Sequence, residues 1–489
     1  MMPFGQFAPD AFLLDSNLAG DARGVLPGAN SYLPWPSLVA VSSPLPSPCF
    51  GFTMFRQEAG GFGIIAGTQT KLYRYDASGS PWIDISTGSY NVPVDEKWNF
   101  QQFGSFMHMT NANDGMLQYD VELGGFVVPN PGSPPAARYV VAWGDQLMLG
   151  GLTNFPNYIW LSGRNNPDWW VLGEMDCTRQ LLPDGGRVTG LSPMETGLIF
   201  QEGMIRKILP VANDAIFTIS KIEQSRGLVA PDSLVILANT AYYLSEEGWM
   251  ATDGSGASKR IGVDRVDAWF KETSNQSRLS VIQGTTDPER SRIYWIIPGP
   301  GNTSDQTLDF ILCYDVQVDK WTGAEVRTQA IQAAQVPSYT MDNLSVLLAS
   351  MALPDDLDQV PFSLDSRFLV GGGTTWAAFT ADHRLAFFNG PPMQAIIETA
   401  DFQPVPGKRG FVKGCQPFTD AAAATIAVGR KERPSDATVW TAERPIDRRG
   451  WAWMRSMGRI QRVRMTIPAG AAWSHAQGIE LAMKPDGSR

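Results

Sequence analysis

The chain has 489 residues, 43% hydrophobic and 18% charged, which excludes global disorder and provides for a large core. Its formal net charge of −10 argues against tight wrapping of nucleic acid. Gly and Pro together supply 83 residues, or 17%, against roughly 12% on average; with 16 Trp and 24 Phe they point to short strands and many turns, not long helices.

The N-terminus, "MMPFGQFAPDAF", has no basic region followed by an apolar one, so no secretory signal is expected. No apolar run approaches ~20 residues, so no membrane span is expected either. Residues 1–50 read as an arm. Within it "GVLPGANSYLPWPSLVAVS" (24–42) is extended and punctuated by Pro, suited to pairing as a strand with a distant part of the chain.

A repeat begins near residue 72. In "TKLYRYDASGSPWIDIS" the alternation of Leu72 and Arg74 against Tyr73 and Tyr75 is a strand, and "PWIDIS" is a second. The linker between them makes a hairpin. Tyr75, Asp76 and Trp82 recur in spacing as Tyr119, Asp120 and Phe126, and again as Tyr314, Asp315 and Trp321. Asp suits the first turn position because its carboxylate accepts backbone N–H groups. The aromatic begins the return strand and packs across the hairpin. Between the second and third copies lie three degenerate hairpins, "YIWLSGRNNPDWWVL", "GLIFQEGMIRKILPV" and "YYLSEEGWMATDGSG". The period of ~40–50 residues predicts an all-β chain containing a β-propeller of about six blades over residues 51–330. An alternative is a series of unrelated hairpins, as in a large sandwich.

Residues 331–380 read as a connecting segment, with a short helix around Asp342–Met351 or an extra blade. "AAFTADHRLAFF" (377–388) is the candidate that would raise the blade count. Residues 381–489 predict a small C-terminal β domain, a platform beside the propeller. In "IQRVRMTIP", Val463, Met465 and Ile467 share one face while Arg462, Arg464 and Thr466 share the other. From Pro404 to Arg464 there are thirteen Lys and Arg against five acids, a net of +8 that leaves about −18 for the remainder. Arg448, Arg449, Trp451, Trp453, Arg455, Arg459, Arg462 and Arg464 form the candidate interface. Arg with Trp and Met suits a protein contact, single-stranded nucleic acid or simply a solvated sheet face.

Catalytic signatures are missing. His108, His383 and His475 stand in separate contexts with no Gly-x-Ser-x-Gly elbow, and each reads as structural. "GSGASK" places Lys259 where a dinucleotide loop needs its third Gly. "NANDGMLQYDVE" has Asn111, Asn113 and Glu122 at calcium-loop positions, but Gly115 and Met116 break the pattern and a turn fits better. The four Cys (Cys49, Cys177, Cys313, Cys415) form no C-x-x-C pair and read as buried free thiols, with spacing alone leaving a disulfide open. The chain is therefore expected to have no catalytic residues, no metal and no cofactor. Paired carboxylates for glycoside cleavage remain the open enzyme alternative, since 49 acids offer many pairs; Glu246 and Glu247, adjacent in sequence, read instead as a solvated turn.

The ordered series "GANSYLPWPSLVAVS", "WNFQQFGSFMHMTN", "ARYVVAWGDQLMLGG", "NYIWLSGRNNPDWW", "LPDGGRVTGL", "YYLSEEGWMATDGSGASKRIGVDRVDAWF" and "GRIQRVRMTIPAGAAWSHAQGIEL" resembles the tail nozzle proteins of short-tailed bacteriophages, also called packaged-DNA stabilization or tail accessory proteins. The resemblance spans nearly the whole chain. It implies a propeller with an added β platform, assembled in the host cytoplasm into a homohexameric ring of the virion tail. The ring would sit below the portal and adaptor, let DNA pass without specific binding, help retain it, and dock fibres or spikes. The family is not enzymatic. A propeller that binds glycan or hydrolyses host polysaccharide is the alternative function.

Overall fold

The computed structural model describes residues 2–58, 62–76, 81–194, 196–211, 216–287, 289–302, 306–335 and 374–485. Strand accounts for 51% and helix for 4%, which makes the chain all-β. Five four-stranded antiparallel sheets follow one another along the chain, each a simple meander: 52–84, 99–127, 137–181, 188–223 and 235–260. These are blades 1 to 5. Blade 6 adds Gln283–Asp287, Arg292–Ile297 and Leu308–Asp315, completed by the first half of the 16-residue strand Lys320–Gln335.

The second half of that strand opens a seventh blade. It pairs with Thr374–Thr380, which pairs with Leu385–Pro392, which pairs with Pro36–Ala40 from the N-terminal arm. The expectation of about six blades is thus one short. The stretch 377–388 supplies the extra blade, and the arm segment 24–42 supplies its last strand. The helix expected around Asp342–Met351 lies outside the described residues.

Seven apolar clusters hold the blades in a ring. Phe50 and Ile65 meet Met107 and Tyr119 between blades 1 and 2. Met116 meets Leu149 between blades 2 and 3, Ile159 meets Ile199 between 3 and 4, and Phe200 meets Tyr243 between 4 and 5. Trp249, Trp295 and Trp321 form a fully buried ladder between blades 5 and 6, with ring centroids 4.4 and 5.8 Å apart in sequence. Tyr294 stacks on Trp376 at 4.1 Å between blades 6 and 7. Phe52 meets Phe379 at 5.0 Å and closes blade 7 onto blade 1. Closure covers both faces of every blade, and the outer strand edges that remain are short.

The threefold sequence repeat occupies the same place each time, the hairpin between the third and fourth strands of a blade. Tyr119 pairs across from Phe126, with rings 5.1 Å apart, and Tyr314 across from Trp321 at 4.6 Å. Tyr75 and Trp82 lie 5.0 Å apart. Asp120 accepts the N–H groups of Glu122 and Leu123, both at 2.9 Å, and Asp315 those of Gln317 and Val318 at 3.1 and 3.2 Å. Asp76 instead pairs with Arg74. In blade 6 the motif carries more: the second oxygen of Asp315 binds Arg292 at 2.8 Å, and Arg292 donates to the Pro27 carbonyl at 2.7 Å. The repeat aspartate there anchors the N-terminal arm.

Beside the propeller lies a two-layer sandwich made from both ends of the chain. One sheet runs Val25–Pro27, Tyr32–Pro34, Ala476–Pro485, Gly410–Thr419, Ala452–Gly458, with Met2–Pro3 on Ala476–Pro485. The other runs Ala19–Arg23, Ala395–Thr399, Ile460–Ile467, Thr425–Lys431. Phe7, Tyr32, Val412, Ile426, Val463 and Ile479 fill the space between them. Arg23 pairs in parallel with Gly323, so the second sheet continues blade 6 without a break. The α-helix among the described residues, Asp267–Thr273, was not expected from the sequence. Its own flanking residue makes no side-chain cap. Asp10 of the arm accepts from the N–H groups of Ala268 and Trp269 at 2.6 and 2.7 Å, so the cap is tertiary and leaves no local signal.

Candidate interaction surface

The strand Ala452–Gly458 alternates strictly. Ala452, Met454, Ser456 and Gly458 face the sandwich core, while Trp453, Arg455 and Met457 face out. It is the last strand of its sheet and pairs only with Gly410–Thr419 among the described residues. Trp453 is 56% exposed, although indoles usually bury. Trp451 stacks on it at 5.3 Å with planes 18° apart. Asp447 fixes this corner, accepting from the N–H groups of Arg449 and Trp451 and from the Trp453 indole at 2.8, 3.0 and 3.0 Å.

Cations crowd the same face. Phe411 stands opposite both Met457 and Lys484, and Lys413 lies beside Arg455. The Lys413 ammonium is pushed below its ordinary range chiefly by Lys484, then by desolvation and by Arg455. Arg455 ion-pairs with no carboxylate among the described residues, nor do Lys413, Lys484, Arg444, Arg448 and Arg459. A groove of about 800 Å³ runs along this face, lined by Phe411, Lys413, Arg444, Trp453 and Arg455 among others. Unpaired like charges that repel one another, beside an exposed tryptophan pair, form a surface suited to an acidic partner.

Two of the eight expected interface residues do not belong there. Arg462 and Arg464 share a face of Ile460–Ile467, as their alternation implied, but that face belongs to the other sheet and acids cover it. Arg462 binds Asp401 at 2.7 Å and Glu398 at 3.1 Å; Arg464 binds Glu398 at 2.7 Å and lies 3.9 Å over the Trp440 ring. Lys431 reaches Asp401 at 3.0 Å. The acids come from and beside Ala395–Thr399, just before the basic stretch begins, so a window starting at Pro404 omits them. These two acids offset two of the eight excess charges inside the fold and leave a net of about +6. Arg448, Arg449, Trp451, Trp453, Arg455 and Arg459 remain as the outward set.

The histidines do not converge. His108 is fully buried in blade 2, His383 hydrogen-bonds Gln329 at 2.7 Å in blade 7, and His475 lies in the sandwich. Ser474, His475 and Asp420 do meet, but in the wrong order for a nucleophile. The Ser474 hydroxyl donates to Asp420 at 2.8 Å, so its proton is not held by the imidazole. Glu246 and Glu247 form the two-residue turn of a blade 5 hairpin, and Glu247 pairs with Arg226 at 3.0 Å. Asn111 accepts from the N–H groups of Asn113 and Asp114, which makes its loop a turn. No group of three or more His, Cys, Asp or Glu suited to a metal occurs among the described residues. All four Cys are free and buried. No helix there is long and apolar enough to cross a membrane.

The sequence reading missed the propeller's central channel. Its wall takes residues from the first strand or the entry loop of every blade, including Thr53, Asn99, Tyr139, Leu191, Asp232, Gln283 and Gln332. Nothing in their spacing marks them, because they are gathered from a span of some 280 residues by ring closure alone.

No family model matches the chain, and no curated protein matches it. Solved structures do. The WD40 repeats of RRP9 align with 7% identity over 61% of this chain and 88% of that one, at a TM-score of 0.40. The β-propeller domain of Cps50 (Swd1) from Myceliophteria thermophila aligns with 9% identity over 60% and 92%, at 0.38. A chain of the mitotic checkpoint complex aligns with 10% identity over 74% and 96%, at 0.41. The likeness extends to the propeller architecture and no further.

Proposed function

We propose that the chain is a structural subunit of a bacteriophage tail nozzle. Six copies would form a ring below the portal and adaptor, extend the DNA channel, help retain packaged DNA, and dock fibres or spikes. The observation that carries this reading is the coupling of two parts: a closed propeller, and a sandwich continuous with one of its blades that carries an unneutralised Lys/Arg/Trp face. A ring component needs rigid bodies that share load and a face for a neighbour. The excess of acids over the rest of the chain would repel phosphates and keep a duplex sliding. The Trp453–Arg455–Lys413 face would hold the adaptor or the neighbouring subunit through its acids.

The test is assembly. The purified chain mixed with the adaptor of its phage should give rings by negative-stain imaging, and Arg455→Glu with Lys413→Glu should abolish them while the subunit keeps its melting temperature. A chain that stays monomeric with every tail component and releases reducing sugar from host polysaccharide would refute the proposal and favour a propeller glycosidase.

A further inference from the structure

One edge of the sandwich is left open. At one end of its sheet Val25–Pro27 lies against the propeller, and Ala452–Gly458 ends the other side. In the facing sheet the edge of Thr425–Lys431 is covered by the short pieces Val439–Trp440 and Arg444–Pro445. Nothing comparable covers Ala452–Gly458. Beyond its ladder to Gly410–Thr419, its backbone makes no hydrogen bond among the described residues. Half of the N–H and C=O groups of such a strand point away from its one partner. Its seven residues extend over about 23 Å.

The groove of about 800 Å³ follows this edge. It touches Trp453 and Arg455 on the outer side of the strand, Met454 on its inner side, and Thr441, Ala442 and Arg444 from the rim of the facing sheet. A groove meets both faces of one strand only where that strand ends its sheet. Charge and hydrogen bonding narrow the occupant. A second copy offering the same edge would set Arg455 against Arg455. The bulge in the ladder between Val412 and Gly414 also bends this edge away from self-pairing. Nucleic acid would bring phosphates, which only accept, so the outward carbonyls would stay unpaired. It would also meet Asp447, whose carboxylate holds the Trp451–Trp453 corner. A polypeptide strand supplies donors and acceptors alike.

We propose that Ala452–Gly458 takes a further strand from an assembly partner, an extended acidic segment in which carboxylates alternate with apolar side chains. The added backbone continues the ladder on both sides of the bulge. Its carboxylates lie on the side of Arg455 and Lys413, and its apolar side chains on the side of Met454 and Ala442. Trp453 and Met457, 56% and 40% exposed, flank Arg455 on the strand and cover the stems of the acidic side chains. The inference rests on the reading of this face as an assembly surface and adds how the partner is held.

Fluorescence anisotropy of the full chain with a labelled heptapeptide alternating Val and Glu tests this, with amide hydrogen exchange as the second readout. Saturable binding is expected, weakened at least tenfold by Arg455→Glu with Lys413→Glu, a variant that should melt with the parent. A heptapeptide of the same composition with its Glu residues grouped should bind several-fold more weakly, and one alternating Val and Lys should not bind. Exchange within Ala452–Gly458 should slow when the peptide is bound. No binding at millimolar peptide, equal binding of the grouped isomer, tighter binding of oligothymidylate, or unchanged exchange within Ala452–Gly458 overturns the proposal. The nozzle reading fails separately. Rings with the adaptor in which Ala452–Gly458 exchanges as fast as in the free subunit would sink strand addition and leave the nozzle standing. Protection by the peptide in a chain that forms no ring would do the reverse.

Discussion

Arg462 distinguishes a structural charge from a docking charge. Its side chain is 15% exposed, and those of Glu398 and Asp401 are 6% and 12% exposed. Arg462→Ala removes a cation from two nearly dry carboxylates. Stripping one partner from a buried ion pair costs about 3–5 kcal/mol. Here each acid keeps a second cation, Arg464 on Glu398 and Lys431 on Asp401, which places the cost at the low end, about 3 kcal/mol. At roughly 2–4 °C per kcal/mol for a domain of 150–250 residues, the melting temperature should fall by about 6–12 °C. Arg455→Ala, on the solvated face, should stay within ~0.5 kcal/mol of the parent. Thermal unfolding by circular dichroism compares the two directly. Coincident melting curves for Arg462→Ala and the parent would refute the buried network. The comparison also matters for assembly experiments: a charge reversal that includes Arg462 would unfold the sandwich and mimic a lost interface.

The repeat aspartates should differ in worth. Asp120→Ala leaves two turn N–H groups without their acceptor and should cost about 1 kcal/mol, as for a helix cap, whereas Asp315→Ala also strands the buried Arg292 and should cost about 3 kcal/mol or more by urea denaturation. His108 carries a pH signature. Burial holds its imidazole down at about 4, against 6.5 ordinarily, and neither ring nitrogen has a partner among the described residues. The unfolded chain therefore binds the proton first, so this contribution is whole above pH 6.5 and lost as pH falls toward 4, by about 3 kcal/mol; His108→Leu should flatten that slope, and an unchanged slope would count against it. Deletion of residues 1–42 should yield insoluble chain, since it opens blade 7 at Leu385–Pro392 and strips strands from both sandwich sheets; a soluble truncation melting like the parent would be the contrary result.

What the sequence made legible was local. Tyr119 and Phe126, or Tyr314 and Trp321, announce a hairpin because the partners lie seven residues apart and a turn-forming Asp stands between them. What it hid was assembled from afar. The last strand of blade 7 comes from Pro36–Ala40, more than 300 residues before its partner Leu385–Pro392, so counting consecutive hairpins stopped one blade early. The cap of Asp267–Thr273 is Asp10, and no helix-start signal precedes Val266. Alternation correctly assigned Arg462 and Arg464 to one face, but a strand's period says nothing about what covers that face. Glu398 and Asp401 do so from a neighbouring strand. The channel residues were hidden for the same reason, since each is a single position on an otherwise unremarked inner strand or entry loop.

The path of the chain explains why two architectures behave as one body. Within about twenty residues the arm lays Ala19–Arg23 into one sandwich sheet, Val25–Pro27 and Tyr32–Pro34 into the other, and Pro36–Ala40 into blade 7. Lys320–Gln335 does the complementary work: its first half ends blade 6, its second half begins blade 7, and Gly323 carries the pairing to Arg23. The sandwich therefore cannot swing against the propeller without breaking backbone hydrogen bonds of a shared sheet, unlike domains joined by a polar interface alone. At that junction Gly323 makes room for the Phe310 ring, since a Cβ there would lie 2.2 Å from it. Ring closure by the arm and sheet continuity through one long strand thus depend on each other. Load applied at the Trp453–Arg455 face would pass through the sandwich into the propeller along covalent strands and their ladders, which is the mechanical property a stacked, channel-forming assembly requires.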